Sequence, residues 1–248
     1  MSQGAAGRTG GDKAIALGHP SYVWRAGQER RLNLIRRYAP LEGRHVLDAG
    51  CGVGMYAAAF RRFTDAAYGV DLDPEKIAQA AESGTNLVVA FVEALPFAGC
   101  SFDVVLSHEV IEHVSEDRAA LAEAVRVLKP GGRLVIYAPN RLYFFETHGC
   151  FWRGTYRFGN IPLVNWLPDR WRNRLCPHVR AYTARGLRRL LDGLPVQVVA
   201  HTQIYPGFDN IVARRPWLGY WLRRVLYALE RTPVRVFGLS HLLVIERI

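Results

Sequence analysis

The chain is predicted to be an α/β protein built on a doubly wound, mostly parallel sheet. Two observations carry this. Short apolar segments of strand character alternate with helical patterns between about residues 45 and 138, and such alternation buries parallel strands between helical layers. At the end of the first strand, Val46-Leu47-Asp48-Ala49-Gly50-Cys51-Gly52-Val53-Gly54 sets an acid and three alternate glycines where backbone lacking Cβ can approach a ligand at the mouth of the next helix.

The elements follow in order. Residues 1–20, polar and Gly-rich over 1–11, are expected to be a disordered tail, and 21–248 to form one domain. Residues 22–38 repeat apolar side chains at helical spacing, with Leu32, Ile35 and Tyr38 on one side and Arg30, Arg31, Arg36 and Arg37 outside. Strands are expected at 45–49, 67–72, 86–92, 102–107, 133–138, 196–204 and 241–246, and helices at about 53–63, 74–82, 117–128 and 183–192. Between residues 139 and 182 the alternation breaks into an aromatic, Gly- and Pro-punctuated insertion. A second insertion, about 211–232, carries Leu218, Trp221, Leu222, Val225, Leu226 and Leu229 at helical spacing among five arginines.

The Asp-x-Gly-x-Gly-x-Gly stretch resembles motif I of class I S-adenosylmethionine-dependent methyltransferases. Met55 stands where a dinucleotide fingerprint has its third glycine, which disfavours NAD. Val70-Asp71-Leu72-Asp73-Pro74, Ala94-Leu95-Pro96-Phe97, Ser101-Phe102-Asp103-Val104-Val105 and Leu128-Lys129-Pro130-Gly131-Gly132-Arg133-Leu134 follow in the family's order. The resemblance implies a Rossmann-like, three-layered, seven-stranded sheet whose last strand is antiparallel. It implies S-adenosylmethionine as cofactor, held by Asp48, Gly50, Cys51, Gly52 and Gly54, by Asp71 at the ribose, and by Leu72, Glu93, Ala94, Leu95 and His108. One departure stands out: Phe91 occupies the place where related enzymes commonly carry an adenine-binding Asp. Apolar stacking between Leu72 and Leu95, with the backbone of 92–94, is the expected substitute.

Glu109-Val110-Ile111-Glu112-His113 puts two carboxylates and an imidazole at i, i+3 and i+4 if it opens a helix. Glu109, Glu112 and His113 are then candidate ligands for a divalent cation, magnesium or zinc, with His148 or His178 as a further ligand. The pattern resembles that of ubiquinone-pathway O-methyltransferases and of small-RNA terminal ribose methyltransferases. Without metal, His113, His148 and His178 are the candidate general bases, since imidazole titrates near neutral pH. Pro139-Asn140-Arg141 and Glu146-Thr147-His148-Gly149 are expected at the acceptor site, under a lid carrying Trp152, Tyr156, Phe158, Trp166 and Trp171. Tyr22, Trp24 and Arg25 are candidates to close the cofactor pocket.

A net charge of +10 draws the chain toward anions without selecting which. Lys13, Lys76 and Lys129 are the only lysines among 32 basic residues, a bias that suggests a GC-rich bacterial genome. Cys51, Cys100, Cys150 and Cys176 lack metal-knuckle spacing, and no apolar run approaches the length of a membrane span. A cytoplasmic enzyme is therefore expected, with peripheral contact at the inner membrane face as the other option. The expected reaction is methyl transfer to a small or lipid-linked acceptor, at oxygen. An RNA ribose methyltransferase is the alternative enzyme, although no RNA-binding module is recognisable, and nucleic acid is not the expected partner. A non-catalytic, membrane-associated scaffold is the remaining alternative, favoured only by Phe91. Nothing in the sequence selects an oligomeric state.

Overall fold

The computed structural model describes residues 23–81 and 84–248; the expected tail and Tyr22 lie outside them. Seven strands form the main sheet: β1 Val46–Ala49, β2 Ala67–Asp71, β3 Asn86–Val89, β4 Phe102–His108, β5 Leu128–Pro139, β10 Val196–Ile204 and β11 Ser240–Arg247. Their spatial order is β10-β11-β5-β4-β1-β2-β3. β11 runs antiparallel to both neighbours, while β1, β2, β3, β4 and β5 pair in parallel.

Period-two side-chain direction divides the core between the two faces. Leu47, Val105, Ile136, Leu243 and Ile245 pack with Leu121, Ala124 and Val125 of α4 (Asp117–Val127) and Leu187 of α6 (Ala184–Arg189). Val46, Leu106, Tyr137, Leu242 and Val244 face Leu32 and Ile35 of α1 (Ala26–Tyr38) and Tyr56, Ala59 and Phe60 of α2 (Met55–Phe60). Helices on both faces explain why these strands read as continuous apolar runs rather than alternating ones.

Helix α3 (Pro74–Ala80) starts at Asp73, whose side chain caps the Glu75 amide, with Pro74 at the first helical position. The insertion after β5 folds into two hairpin-like ribbons, β6 (Phe145–Glu146) with β9 (Ile161–Pro162) and β7 (Cys150–Trp152) with β8 (Thr155–Arg157), then α5 (Asp169–Leu175). Between β10 and β11 lie α7 (Asp209–Arg214) and α8 (Pro216–Leu229), followed by a 3₁₀ turn over Pro233–Phe237.

One sequence expectation fails here. Residues 109–114 form a turn, and α4 starts only at Asp117. Glu109 has φ +56°, a left-handed conformation that cannot open a helix, while its amide still bonds the Tyr137 carbonyl at the end of the sheet. Glu109, Glu112 and His113 therefore do not share a helical face.

Candidate active site

Strand order reverses between β4 and β1, and open sheets of this kind bind ligands at the carboxyl ends of the strands flanking that point. A cavity of about 480 Å³ opens there, lined by the ends of β1, β2 and β4, by α1, by residues 90–93 and by the insertion.

The glycine loop forms one wall. The Gly50 and Cys51 amides both bond the Val70 carbonyl, which folds the chain sharply back from β1. Gly50 (φ +89°) must be glycine, because a Cβ there would sit 2.3 Å from Val110. Gly52 lines the cavity with nothing near its missing Cβ, so its open side faces the cavity. Gly54 is different: a Cβ would meet Ala80 at 2.8 Å, and Gly54 is not a cavity residue. Its missing Cβ faces the packing of α2 on α3 rather than the cavity.

Asp71 receives the Gly52 amide on one oxygen, at 2.8 Å, and the Asp73 amide on the other, at 2.9 Å. The carboxylate is thus aimed, with lone pairs left for hydroxyl donors. Asp48 is almost wholly buried behind the loop, and burial pushes its carboxyl up to about 7, opposed only by the Ala57 backbone. Cys51 also lines the cavity, its thiol pushed well up by burial and by Asp48 and Asp71.

At the far end, Leu72, Phe91, Val92 and Glu93 line the wall, and Glu93 accepts the Ser115 amide at 3.1 Å. Ala94 and Leu95 do not line it. Leu95 is buried in the core, its amide bonded to Glu123 and its carbonyl to Arg126. Phe91, exposed, lines the wall where Leu95 does not.

His108 and Glu109, leaving β4, meet Arg31 of α1. Arg31 lies 2.6 Å from His108 Nε2 and 3.4 Å from Glu109 Oε1, and Ser240 donates to the same oxygen at 2.7 Å. Burial pushes the Glu109 carboxyl up, but Arg31 and then His108 and His148 outweigh it and hold it well below its ordinary range. His108 is neutral, lowered to about 3 by burial and Arg31. Sequence reasoning put Arg31 outside. Yet Gln28, Arg31, Leu32 and Ile35 follow the i, i+3, i+4, i+7 spacing of one helix face, and Gln28 and Arg31 both line the cavity. Trp24 stacks edge-on against Tyr56, a lining residue, and Arg25 bonds Asn210; neither lines the cavity itself.

The third wall holds the polar cluster. Glu112, His113 and His148 bring their ligand atoms within 4.8 Å of one another. His148, not Glu109, completes the group, because Glu109 is committed to Arg31 and Ser240. Neither oxygen of the buried Glu112 has a hydrogen-bond partner, nor does His113 Nδ1. Burial, then Glu109 and Glu146, raise the Glu112 carboxyl well above its usual range, and His113 is lowered to about 3 by burial, His148 and His178.

Glu146 holds His148 from behind. Its Oε1 lies 3.1 Å from His148 Nδ1, and its Oε2 accepts from Arg172 at 2.8 Å. Arg172, which sequence reasoning did not single out, is itself buried and also bonds the Val179 carbonyl and Asn165. His178 is not a cavity residue: it sits between the Phe151 and Tyr156 rings, with Nε2 near the His148 carbonyl. Asn140 and Arg141 are braces too, Asn140 bonding the Val236 and Gly238 carbonyls and Arg141 bonding Asn165, Leu167 and Asp169. Of the expected lid aromatics, Tyr156 and Phe158 line the cavity, while Trp152, Trp166 and Trp171 are exposed outside it.

Residues 47–136 match a protein-family model described as a methyltransferase domain. The chain is 36% identical over 118 residues to a ubiquinone biosynthesis O-methyltransferase of Xylella fastidiosa, covering 45% of this chain and 48% of that protein. It is 45% identical over 96 residues to an uncharacterized methyltransferase of a Mycobacterium species, covering 38% of each. These alignments span about half the length of the curated relatives or less. A crystal structure of an S-adenosylmethionine-dependent methyltransferase from Mesorhizobium loti superposes with TM-score 0.60 at 19% identity, covering 87% of this chain and 96% of that one. Residues 47–136 are thus similar to a methyltransferase domain, and the chain shares the fold of a solved S-adenosylmethionine-dependent methyltransferase.

Proposed function

We propose that this protein transfers the methyl group of S-adenosylmethionine to an oxygen of a small-molecule acceptor, releasing S-adenosylhomocysteine. The observation that carries the reading is one cavity joining two kinds of wall: an open glycine loop with an aimed Asp71, and a histidine backed by a carboxylate. The relatives described as ubiquinone biosynthesis O-methyltransferases support oxygen as the receiving atom. They also support extending the acceptor class to lipid-linked phenols.

The residues fit the cofactor. Gly52 leaves open space where a side chain would block a ligand, Asp71 is oriented for the ribose hydroxyls, Asp48 carries the charge that suits an ammonium, and Leu72 and Phe91 flank an apolar slot for the adenine. When bound, S-adenosylmethionine supplies an activated methyl sulfonium, so the protein has mainly to align the acceptor and exclude water. In the tautomer whose Nδ1–H donates to Glu146, His148 carries its lone pair on Nε2. Nε2 takes the acceptor hydroxyl proton as the oxygen–methyl bond forms and the carbon–sulfur bond breaks, with that bond pair going to sulfur.

The unpartnered oxygens of Glu112 and Nδ1 of His113 favour a second reading of the same wall. Buried polar atoms rarely go without partners, and two imidazoles with a carboxylate suit zinc or another divalent ion. Glu112, His113 and His148 would hold the ion, which would acidify an acceptor hydroxyl.

Calorimetric titration with S-adenosylmethionine and S-adenosylhomocysteine tests the first reading, and absence of binding overturns it. Methyl transfer to catechol-type acceptors, measured before and after chelation, separates the two roles of the wall. Full activity in chelator leaves His148 as base, whereas loss restored by added zinc or magnesium places a metal there.

A further inference from the structure

Helix α8 is packed on one side and bare on the other, and its bare side is not polar. Gly219 meets Val212 of α7 so closely that a Cβ would lie 2.4 Å from it. The Arg30 guanidinium of α1 stacks 3.8 Å over the Tyr227 ring and pairs with Glu230, while Arg223 bonds Asp209 and the Gly207 carbonyl. These contacts fix which face looks outward. On that face Trp217, Tyr220, Trp221 and Val225 are 70%, 57%, 54% and 53% exposed. The apolar arc of the helix is thus wider than its packing needs: Leu218, Leu222 and Leu226 are partly covered, and the Trp half is left in water.

Exposed charge in the segment that carries this face has one sign. Between residues 205 and 240 the only acids are Asp209 and Glu230, and both are paired inward with Arg223 and Arg30. Arg214, Arg215, Arg224, Arg231 and Arg235 are exposed and make no ion pair among the described residues. Beyond the helix, Phe237 contacts Trp166 of the insertion, which contacts Phe144, and all three residues are nearly half exposed. Exposed apolar surface therefore continues from the 3₁₀ turn that follows α8 onto the insertion after β5.

We propose that the Trp217–Trp221–Val225 face of α8, with its five arginines, is a docking surface for an anionic phospholipid bilayer. Tryptophan and tyrosine are favoured at the headgroup level, where an apolar ring with a polar edge is matched on both sides. Arginines around an inserted apolar face add attraction to anionic headgroups that screens with salt. A convex helix face carrying valine beside its rings suits insertion among acyl chains better than stacking on bases. The inference is independent of the methyl acceptor's identity.

The test uses the full chain with sedimenting vesicles of phosphatidylcholine, with and without phosphatidylglycerol. The chain is expected to pellet with the anionic vesicles, to be released by salt, and to show a blue-shifted tryptophan emission on binding. Trp217→Ser/Trp221→Ser and a separate Arg→Gln variant at 214, 215, 224, 231 and 235 are each expected to weaken binding about tenfold or more. Both variants should keep the parent's melting temperature and cofactor affinity, which separates lost docking from lost folding. Failure to bind anionic vesicles at low salt overturns the proposal, as does unchanged binding by the tryptophan variant. A parent dimer that the tryptophan variant converts to monomer also overturns it, since a second copy then covers the face. So does RNA binding lost in the arginine variant with no vesicle binding by the parent.

Discussion

His148 is held from behind by Glu146, with Nδ1 3.1 Å from Oε1, and the same carboxylate is anchored by the buried Arg172 at 2.8 Å. The imidazole is thereby fixed in orientation, with Nε2 on the side of Glu112 at 3.9 Å. Such backing residues set the tautomer of a histidine as much as its position.

Removing the imidazole should affect turnover and little else. His148→Ala is expected to lower kcat by about 100-fold or more while calorimetry shows cofactor affinity unchanged. Equal loss of affinity and rate would mean that His148 shapes the cofactor end of the cavity instead.

Glu146→Gln should behave differently, because it leaves the Arg172 guanidinium buried without its counter-charge. Stability is expected to fall by about 3 kcal/mol, read by urea denaturation. A variant as stable as the parent would show that the Val179 carbonyl and Asn165 satisfy Arg172 on their own.

Asp48 links cofactor affinity to pH. Its carboxyl is raised from 3.8 to about 7 by burial, so the folded protein holds a proton that the unfolded chain releases above about 4, and the resulting loss of stability grows from about pH 4 and is complete above about 7. Asp48→Asn is accordingly expected to raise the melting temperature at about pH 8 and to leave it unchanged at about pH 4. A bound ammonium would favour the ionised form, so S-adenosylmethionine should bind more weakly as pH falls below about 7. Calorimetry across that range should show the fall in the parent and a flat, weaker profile in the variant.

Two glycines of one motif should separate stability from binding. Gly54→Ala forces a Cβ to within 2.8 Å of Ala80 at φ +78°, and is expected to cost about 2 kcal/mol or more in stability. Gly52→Ala, at φ +54° with open space around it, should cost about 1 kcal/mol and chiefly weaken cofactor binding. Denaturation and calorimetry on both variants test this, and matched losses in the two would contradict it.

Arg31→Met would strand Glu109, whose ionised state depends first among favourable contacts on that guanidinium. A loss of roughly 3 kcal/mol is expected, with Glu109 taking up a proton at a higher pH than in the parent. Difference infrared spectroscopy of the carboxyl band against Arg31→Met/Glu109→Gln checks that protonation.

The alternation of strands and helices, the sharp glycine turn and the position of Asp71 were legible in the sequence, because each depends on a few neighbouring residues and on backbone sterics. Arg31 was legible in its spacing with Leu32 and Ile35 but masked by its charge, which ordinarily faces water. Tertiary structure alone decided the rest. Gly52 and Gly54 look alike in the motif and differ only in what stands opposite, a ligand cavity or Ala80. Phe91 lines the cavity and Leu95 does not because Glu123 and Arg126 bind the Leu95 backbone into the core. Glu109 parts from Glu112 through one left-handed residue, and His148 joins Glu112 and His113 only because the insertion folds back around Arg172. Those outcomes rest on contacts between residues far apart in the chain, where no local pattern records which side chains will meet.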